Sequence, residues 1–181
     1  MTIVLEQGWL STARRVPSPN YNTRPAEATV RLLVVHNISL PPGQFGGPYI
    51  EQLFSNQLDP SVHPYFESIA ALEVSAHVLI RRDGELVQFV SFDDRAWHAG
   101  VSMYQGVDNC NDFAIGIELE GTDEVPYTDA QYAALVELSR VLLAAYPQMV
   151  GHIAGHCDIA PGRKTDPGEV FDWERYLGAL V

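Results

Sequence analysis

Basic residues, cysteines and long apolar runs are all scarce in this sequence of 181 residues. Eleven lysines and arginines stand against 23 aspartates and glutamates, which gives a formal net charge of −12. Nucleic acids require a basic face and anionic membranes attract basic segments, so neither is expected as a partner. No apolar run approaches the roughly 20 residues that a helix needs to span a bilayer.

The first residues of the chain do not have the pattern of a secretory signal. The initial apolar run is short, Glu6 interrupts it, and Arg14 and Arg15 follow the run instead of preceding it. We therefore expect a cytoplasmic protein. Its two cysteines, Cys110 and Cys157, are too few for a disulfide framework and are expected to stay as thiols in a reducing compartment.

Composition and patterning predict one α/β domain. Apolar residues make up 46% of the chain and charged residues 19%, a balance that supports a buried core. The apolar run Arg31–His36 predicts a strand buried on both faces, and Phe113–Glu120 alternates with a period of two. Thr128 and Gln131 form a capping box at the start of a long helix that Pro147 ends. Strands mixed with helices predict a sheet with helices packed on its faces.

The remaining segments complete this expected organisation. Residues 1–28 contain three prolines among polar residues and are predicted to form an arm packed on the domain of residues 29–181. The dipeptide Asp83-Gly84 is a strong signal for a two-residue hairpin turn between strands at Ser75–Arg82 and Glu85–Ser91.

Two of the six histidines stand at the ends of predicted strands, where α/β sheets place their sites. His36 ends the first of these strands, and His156 ends a strand predicted over Met149–His156. Together with Asp166 they supply two imidazoles and a carboxylate, a set suited to catalytic zinc. His152 and His156 cannot both bind one metal, because four strand residues cover about 13 Å. Asp166 has an alternative role, which is to turn or cap its loop.

Glu118 is a candidate for acid–base chemistry in the alternating strand. Glu118 and Glu120 share a face with Ala114 and Gly116, and the small residues would leave room for a substrate if that face lined a cleft. The alternative is that both carboxylates face solvent.

Lys164 is the one lysine among eleven basic residues. A compact ammonium acts differently from a guanidinium, which makes Lys164 a candidate for a specific role; the alternative is an arginine-biased composition. Cys157 and His156 would offer a nucleophilic pair, but adjacent strand residues point to opposite faces. A buried free thiol is therefore the expected state of Cys157.

Four motifs carry a resemblance to a known family. They are Leu33-Val-Val-His-Asn-Ile-Ser39, Arg95-Ala-Trp-His-Ala-Gly100, Asn109-Cys-Asn-Asp-Phe-Ala-Ile-Gly-Ile-Glu-Leu-Glu-Gly-Thr-Asp123 and Gly155-His-Cys-Asp-Ile-Ala-Pro-Gly-Arg-Lys-Thr-Asp-Pro-Gly168. Through these motifs the sequence resembles the zinc N-acetylmuramoyl-L-alanine amidases, and among them the cytosolic enzymes that act on 1,6-anhydro-muropeptides in cell-wall recycling. The resemblance runs from about Gly8 to Trp173.

The resemblance implies a single domain with a mixed central sheet flanked by helices. It implies one zinc ion per chain, held by His36, His156 and Asp166, with Glu118 and Lys164 as catalytic residues. The implied reaction is hydrolysis of the amide between N-acetylmuramic acid and L-alanine in an imported anhydro-muropeptide. A small-molecule substrate is then the expected partner, with no nucleic acid, membrane or obligate protein partner. The residues expected to contact substrate are Asn37, Trp97, His98 and Arg163.

Two alternatives and one departure accompany this interpretation. A non-catalytic muropeptide-binding or sensing module would share the fold, but such modules commonly lack a metal ligand. A zinc deacetylase would share the metal chemistry but not the motifs. The departure is Glu73, where the resemblance implies an arginine for a substrate carboxylate. The arginines that would have to replace it are Arg81, Arg82, Arg95 and Arg163.

Overall fold

A six-stranded mixed sheet forms the centre of the computed structural model, which describes residues 3–181. The strands of that part of the chain are β1 (Leu5–Glu6), β2 (Trp9–Leu10), β3 (Arg14–Arg15), β4 (Tyr21–Thr23), β5 (Leu32–Ile38), β6 (Val78–Ile80), β7 (Leu86–Gln88), β8 (Asp94–Ala96), β9 (Met103–Tyr104), β10 (Val107–Asp108), β11 (Ala114–Glu120) and β12 (Ile153–Gly155). The order across the central sheet is β12-β5-β11-β6-β7-β3.

Helices pack around this sheet. The α-helices are α1 (Tyr49–Phe54), α2 (Asp129–Ala145), α3 (His156–Ile159) and α4 (Trp173–Gly178), and short 3₁₀ turns cover Pro64–Ser68, Cys110–Asp112 and Pro147–Met149. Among residues 3–181, none of these helices has the length and apolar character to cross a membrane. The predicted α/β class, with a mixed sheet and flanking helices, is confirmed.

The two long strands are buried because apolar layers cover both faces of the sheet. β12, β5, β11 and β6 run parallel, and β7 pairs with β6 in the antiparallel sense. On β5, Leu33 and Val35 pack in the core that contains α2, whereas Leu32 and Val34 face the opposite layer. This alternation explains the continuous apolar run, since both sets of side chains leave water.

The long helix α2 begins as the sequence predicted. Thr128 accepts a hydrogen bond from the Gln131 backbone N–H, and the Gln131 side chain accepts one from the Thr128 N–H, each at 3.1 Å. The fully buried Gln131 side chain also donates to the carbonyls of Ile80 and Glu120, at 3.2 and 2.9 Å. The cap therefore fixes both the start of the helix and its position over the sheet.

The predicted hairpin exists, but its strands are shorter and its turn longer. Arg81 N–H donates to the Glu85 carbonyl at 2.9 Å, which leaves three residues, not two, in the loop. Gly84 at its end has φ +88°, the left-handed conformation that such three-residue loops require. The turn lies where it was predicted, but its loop has three residues and not the two that were predicted.

The last strand also departs from its predicted extent. Gly151 has φ +78° and the His152 N–H closes a turn onto the Met149 carbonyl, so β12 starts at Ile153. His156 does not end a strand, because it is the first residue of α3.

The N-terminal segment contributes strands to the rest of the protein. β1 and β2 form a hairpin, β3 pairs in parallel with β7 at the edge of the central sheet, and β4 pairs with β8. Arg24 is 8% exposed, and its guanidinium donates to the carbonyls of Phe92 and Ala114. The arm and domain boundary at residue 28 stays a prediction.

Candidate active site and metal centre

The parallel strands bring three chemically active side chains to one edge of the sheet. His36 on β5 and Glu118 on β11 are register partners. Gly155 of β12 pairs with Val35, which places His156 beside His36 as the chain leaves the sheet. The carboxyl edge of parallel strands is the usual location of sites in open α/β sheets.

His36, His156 and Asp166 converge to form a compact donor triangle. The two Nδ1 atoms of the histidines are 3.0 Å apart, and Asp166 Oδ2 lies 3.1 Å from Nδ1 of His156 and 3.4 Å from Nδ1 of His36. A tetrahedral zinc site with bonds near 2.0–2.1 Å separates its ligand atoms by about 3.3–3.4 Å. Two imidazole nitrogens and a carboxylate oxygen in this triangle therefore fit zinc in both chemistry and size.

The protonation of these ligands also suits a metal cation. Burial is the main reason that the pKa of His36 is lowered to about 4, so its imidazole is neutral at pH 7. Burial alone would raise the pKa of Asp166, but its interactions with the adjacent imidazoles of His156 and His36 outweigh burial and lower that pKa. Metal binding requires neutral imidazoles and an ionised carboxylate.

His98 packs against the triangle from the side opposite the metal-facing atoms. Its Nδ1 lies 2.9 Å from Nε2 of His36, and its own Nε2 is buried without a hydrogen-bond partner. A Cβ on Gly116 would lie 2.4 Å from the His98 ring. The expectation that Gly116 leaves room for a substrate was therefore wrong, because the space is filled by the His98 imidazole.

Glu118 is a buried carboxylate with an unusual environment. It is 8% exposed, and its Oε2 has no hydrogen-bond partner. Burial, followed by the negative charge of Asp166, raises the pKa of Glu118 well above its ordinary value. A raised pKa and an unpartnered oxygen beside the donor triangle are properties of a general base.

Glu120, the other carboxylate on this face, is engaged elsewhere. Its oxygens accept hydrogen bonds from Arg81 Nη1 at 3.2 Å and from the backbone N–H of Arg82 at 3.1 Å. The cavity beside the triangle is lined by Glu118 and not by Glu120. Of the two alternatives for the carboxylates on this strand face, exposure to solvent or location in a cleft, Glu118 has the second.

Lys164 lies in the loop between α3 and Asp166 and lines the same cavity as Glu118. Its side chain is exposed to solvent, and its positive charge counteracts the raised pKa of Glu118. The loop itself is fixed by the Pro167 carbonyl, which accepts from Tyr127 Oη at 2.7 Å and from Asn37 Nδ2 at 3.2 Å.

A cleft of about 720 Å³ opens beside the triangle. All four residues expected to contact substrate line it, but two already use their polar groups within the protein. Asn37 Nδ2 donates to Asp123 at 2.8 Å as well as to Pro167, and Trp97 Nε1 donates to Asn22 at 3.0 Å. Besides His156 and Asp166 of the triangle, the candidate residues from the sequence that line the cleft are Asn37, Trp97, His98, Arg163, Glu118, Lys164 and Glu73.

Of the four arginines considered as replacements at the Glu73 departure, Arg163 alone lines this cleft. Arg81 is held by Glu51 at 2.6 Å and by Glu120. Arg95 is paired with Asp112, and Arg82 donates to the Pro126 carbonyl.

Two other candidates from the sequence, His152 and Cys157, lie outside the triangle. His152 Nδ1 contacts Tyr104 Oη at 3.1 Å. Cys110 and Cys157 are both free, Cys110 being buried and Cys157 half-buried. Burial raises the pKa of the Cys157 thiol, which disfavours the thiolate that a nucleophile needs.

The family resemblance also implies Asn109–Asp112 as parts of the site or its walls, whereas the role of the Ala99 carbonyl was missed. The Ala99 carbonyl contacts His156 Nε2 at 3.2 Å, and the Asn111 side chain binds the backbone beside His98. A motif does not reveal which loop carbonyl meets a distant imidazole, so no sequence signal identified Ala99.

Fold and site together define an α/β protein with a candidate metal centre beside a cleft. A family model described as N-acetylmuramoyl-L-alanine amidase matches residues 26–169. The chain therefore belongs to the N-acetylmuramoyl-L-alanine amidase family, and the resemblance found in its motifs is confirmed. As a member, it is an enzyme that hydrolyses the amide between N-acetylmuramic acid and L-alanine.

Individual relatives match over nearly the whole chain. The 1,6-anhydro-N-acetylmuramyl-L-alanine amidase AmpD of Escherichia coli (strain K12) is 64% identical over 174 residues, or 96% of this chain and 95% of that protein. A crystal structure of a selenomethionine AmpD derivative superposes with a TM-score of 0.97 at 61% identity, covering 98% of this chain and 99% of the other. The amidase AmiD from E. coli, in complex with anhydro-N-acetylmuramic acid-L-Ala-D-gamma-Glu-L-Lys, has a TM-score of 0.61 at 26% identity and covers 99% and 66%.

Proposed function

We propose that this enzyme uses one zinc ion per chain, held by His36, His156 and Asp166, to cleave the muramoyl–L-alanine amide of muropeptides that carry a 1,6-anhydro sugar. The observation that carries the proposal is the donor triangle of 3.0, 3.1 and 3.4 Å beside the unpartnered carboxylate of Glu118. When bound in such a site, zinc supplies Lewis-acid chemistry that acidifies water and polarises a carbonyl group.

Glu118 acts as the general base in this proposal. Its raised pKa brings its basicity closer to that of an acidified water, so it can take the proton of the attacking water. The same carboxyl group then holds that proton and donates it to the leaving amine of L-alanine.

Lys164 stabilises the negative charge that develops on the amide oxygen. Its ammonium lines the same cleft as Glu118 and is free to approach a bound substrate, because the side chain is exposed. A charge that meets the oxyanion only as it forms lowers the barrier more than it strengthens substrate binding.

The cleft and the relatives support the anhydro-muropeptide as substrate. A volume of about 720 Å³ is in the range of small-molecule binding sites, about 300–1,000 Å³. A relative at 64% identity bears the name of a 1,6-anhydro-muramyl amidase, and the AmiD structure contains an anhydro-muramoyl tripeptide. Asn37, Trp97, His98 and Arg163 are proposed to line the bound substrate. The cytoplasmic location expected from the sequence stays a prediction.

Zinc analysis combined with mass spectrometry of products tests this function. The protein would be incubated with an anhydro-muropeptide and, as the matched control, the same muropeptide with a reducing sugar end. We expect one zinc per chain, release of the intact stem peptide, and faster cleavage of the anhydro form. Binding without cleavage would indicate a non-catalytic module, and loss of an acetyl group would indicate a deacetylase.

A further inference from the structure

Both candidate ligand histidines have the same orientation. Each directs Nδ1 into the donor triangle and Nε2 away from it. Both outward nitrogens meet neighbouring residues of one short segment. His36 Nε2 contacts His98 Nδ1 at 2.9 Å, and His156 Nε2 contacts the Ala99 carbonyl at 3.2 Å.

These contacts assign the protons on the rings. A carbonyl oxygen only accepts, so His156 carries its proton on Nε2 and leaves Nδ1 free to bind a cation. For His36 to present a bare Nδ1, its Nε2–H must donate to His98 Nδ1. His98 and Ala99 must therefore both be held in place for the two ligand tautomers to be fixed.

Asn111 holds both residues with one atom. Its Oδ1 accepts the backbone N–H of His98 at 3.1 Å and the backbone N–H of Ala99 at 2.8 Å. Two donors on one atom require an oxygen there, which fixes the orientation of the side-chain amide. Asn111 is 8% exposed, and its own carbonyl accepts a hydrogen bond at 3.0 Å from the buried Arg24.

We infer that Asn111 is a positioning residue that sets the tautomer of both ligand histidines through the backbone of His98 and Ala99. The metal part of this inference rests on the proposed zinc site, whereas the tautomer part concerns the protein alone.

Two variants of Asn111 test whether its side-chain acceptor oxygen is required, one by removing this oxygen and one by keeping it. Asn111→Leu keeps the side-chain size but leaves two buried N–H groups unpaired, whereas Asn111→Asp keeps an acceptor oxygen. Ser102→Ala is the matched control. Ser102 is 6% exposed, and its hydroxyl donates to the Gly100 carbonyl at 3.0 Å and accepts from the Cys110 N–H at 3.2 Å. It lies in the same loop region but forms no hydrogen bond with residues 98–99.

The tautomers are read by ¹H–¹⁵N NMR of the imidazole nitrogens in the full-length protein, zinc-loaded and after chelation. We expect His36 and His156 to be Nε2-protonated in the wild type, the Asp variant and the Ser102 control, and mixed in Asn111→Leu after chelation. Nδ1-protonated rings in the chelated wild type would overturn the inference even if Asn111→Leu did not fold.

Zinc affinity, measured by competition with a chelating dye, provides the second readout. Loss of groups that orient metal ligands typically weakens binding by about 10–100-fold, so we expect a loss of about 10-fold in Asn111→Leu and recovery in Asn111→Asp. An unchanged tautomer and affinity in Asn111→Leu, or an equal loss in Ser102→Ala, would overturn the positioning role. A wild type that binds no zinc yet shows both Nε2–H tautomers would refute the metal site and retain the positioning role.

Discussion

Replacing Glu118 by glutamine should stabilise the protein while it abolishes most of its activity. The substitution keeps the size of the side chain and removes its charge. In the metal-free protein that charge is buried beside Asp166, and Oε2 has no hydrogen-bond partner. Activity and stability are therefore expected to change in opposite directions.

The size of each effect follows from the environment of Glu118. Loss of a general base typically reduces turnover by about 10²–10⁴-fold, which is about 3–5.5 kcal/mol in barrier height. A buried polar group without a partner costs about 1–3 kcal/mol and a charged one costs more. Glutamine remains polar, so the substitution removes only the additional cost of the charge. We therefore expect the free energy of unfolding of Glu118→Gln at pH 7, after chelation, to rise by about 1–3 kcal/mol.

The pH dependence of the free energy of unfolding tests the direction of this stability change a second time. The folded-state pKa of Glu118 lies above its unfolded value of about 4.5, so the folded state holds this proton more tightly. The protonated Glu118 carboxyl stabilises the fold most at a pH below its pKa in the unfolded state. This contribution is lost as the pH rises through its pKa in the folded state. The gain in Glu118→Gln should accordingly grow as the pH is raised from about 4.5.

Glu120→Gln is the matched control, since Glu120 lies two residues further along the same face of β11. Its carboxylate is 2% exposed and paired with Arg81, and breaking a buried ion pair costs about 3–5 kcal/mol. Glutamine retains part of the hydrogen bonding, so a loss of about 2–4 kcal/mol is expected. Urea unfolding and product chromatography measure both quantities for the two variants. A Glu118→Gln protein that is active, or one that is both inactive and less stable, would refute the role of a buried base.

Three further predictions concern the cleft and the core. Lys164→Ala should lower kcat by about 10²–10³-fold with little change in KM and with zinc retained, and Lys164→Arg should recover only part of the rate; full activity of Lys164→Ala in steady-state assays would remove this residue from the mechanism. Glu73→Arg should lower KM for an acidic stem peptide, more at low salt, because Glu73 is an exposed carboxylate of the cleft; an unchanged KM at both ionic strengths would place the peptide elsewhere. Burial, followed by the charge of Arg24, lowers the pKa of His77 to about 3, so this group stabilises the fold fully above its unfolded pKa of about 6.5 and less as pH falls. Between pH 7 and 4.5 the wild type should lose about 2–3 kcal/mol more than His77→Gln in urea unfolding, and equal losses would contradict the neutral buried state.

The residues at the strand ends and the three members of the donor triangle could be predicted from the sequence. His36 follows an apolar run that no amphipathic helix would produce, and His156 and Asp166 flank a loop rich in glycine and proline. Parallel pairing then brings the histidines together, since the carboxyl ends of parallel strands meet at one edge. The set of three came from residue type and position, without knowledge of their distances.

The supporting groups were not predictable in the same way. His156 opens a helix whose N-cap is Gly155, the last extended residue of β12, and the Gly155 N–H donates to Asp158 Oδ2 at 2.7 Å. Hydrophobic periodicity does not report such a local change from strand to helix. Gly116 is small because a ring from another segment, that of His98, occupies the space, which is a tertiary contact. The amide of Asn37 is used to hold Asp123 and Pro167, a bond between residues more than 80 positions apart.

The zinc content and activity of Asp166→Ala test the central claim most directly. Asp166 supplies the one carboxylate oxygen of the donor triangle, and its loss leaves two ligands, too few for a catalytic zinc site. Glu169→Ala, which removes an exposed carboxylate three residues further along, is the matched control. Elemental analysis and product mass spectrometry should find one zinc per chain and full cleavage in the wild type and the control, and neither in Asp166→Ala. An Asp166→Ala protein that retains one zinc per chain and cleaves the anhydro-muropeptide at the normal rate would contradict the account.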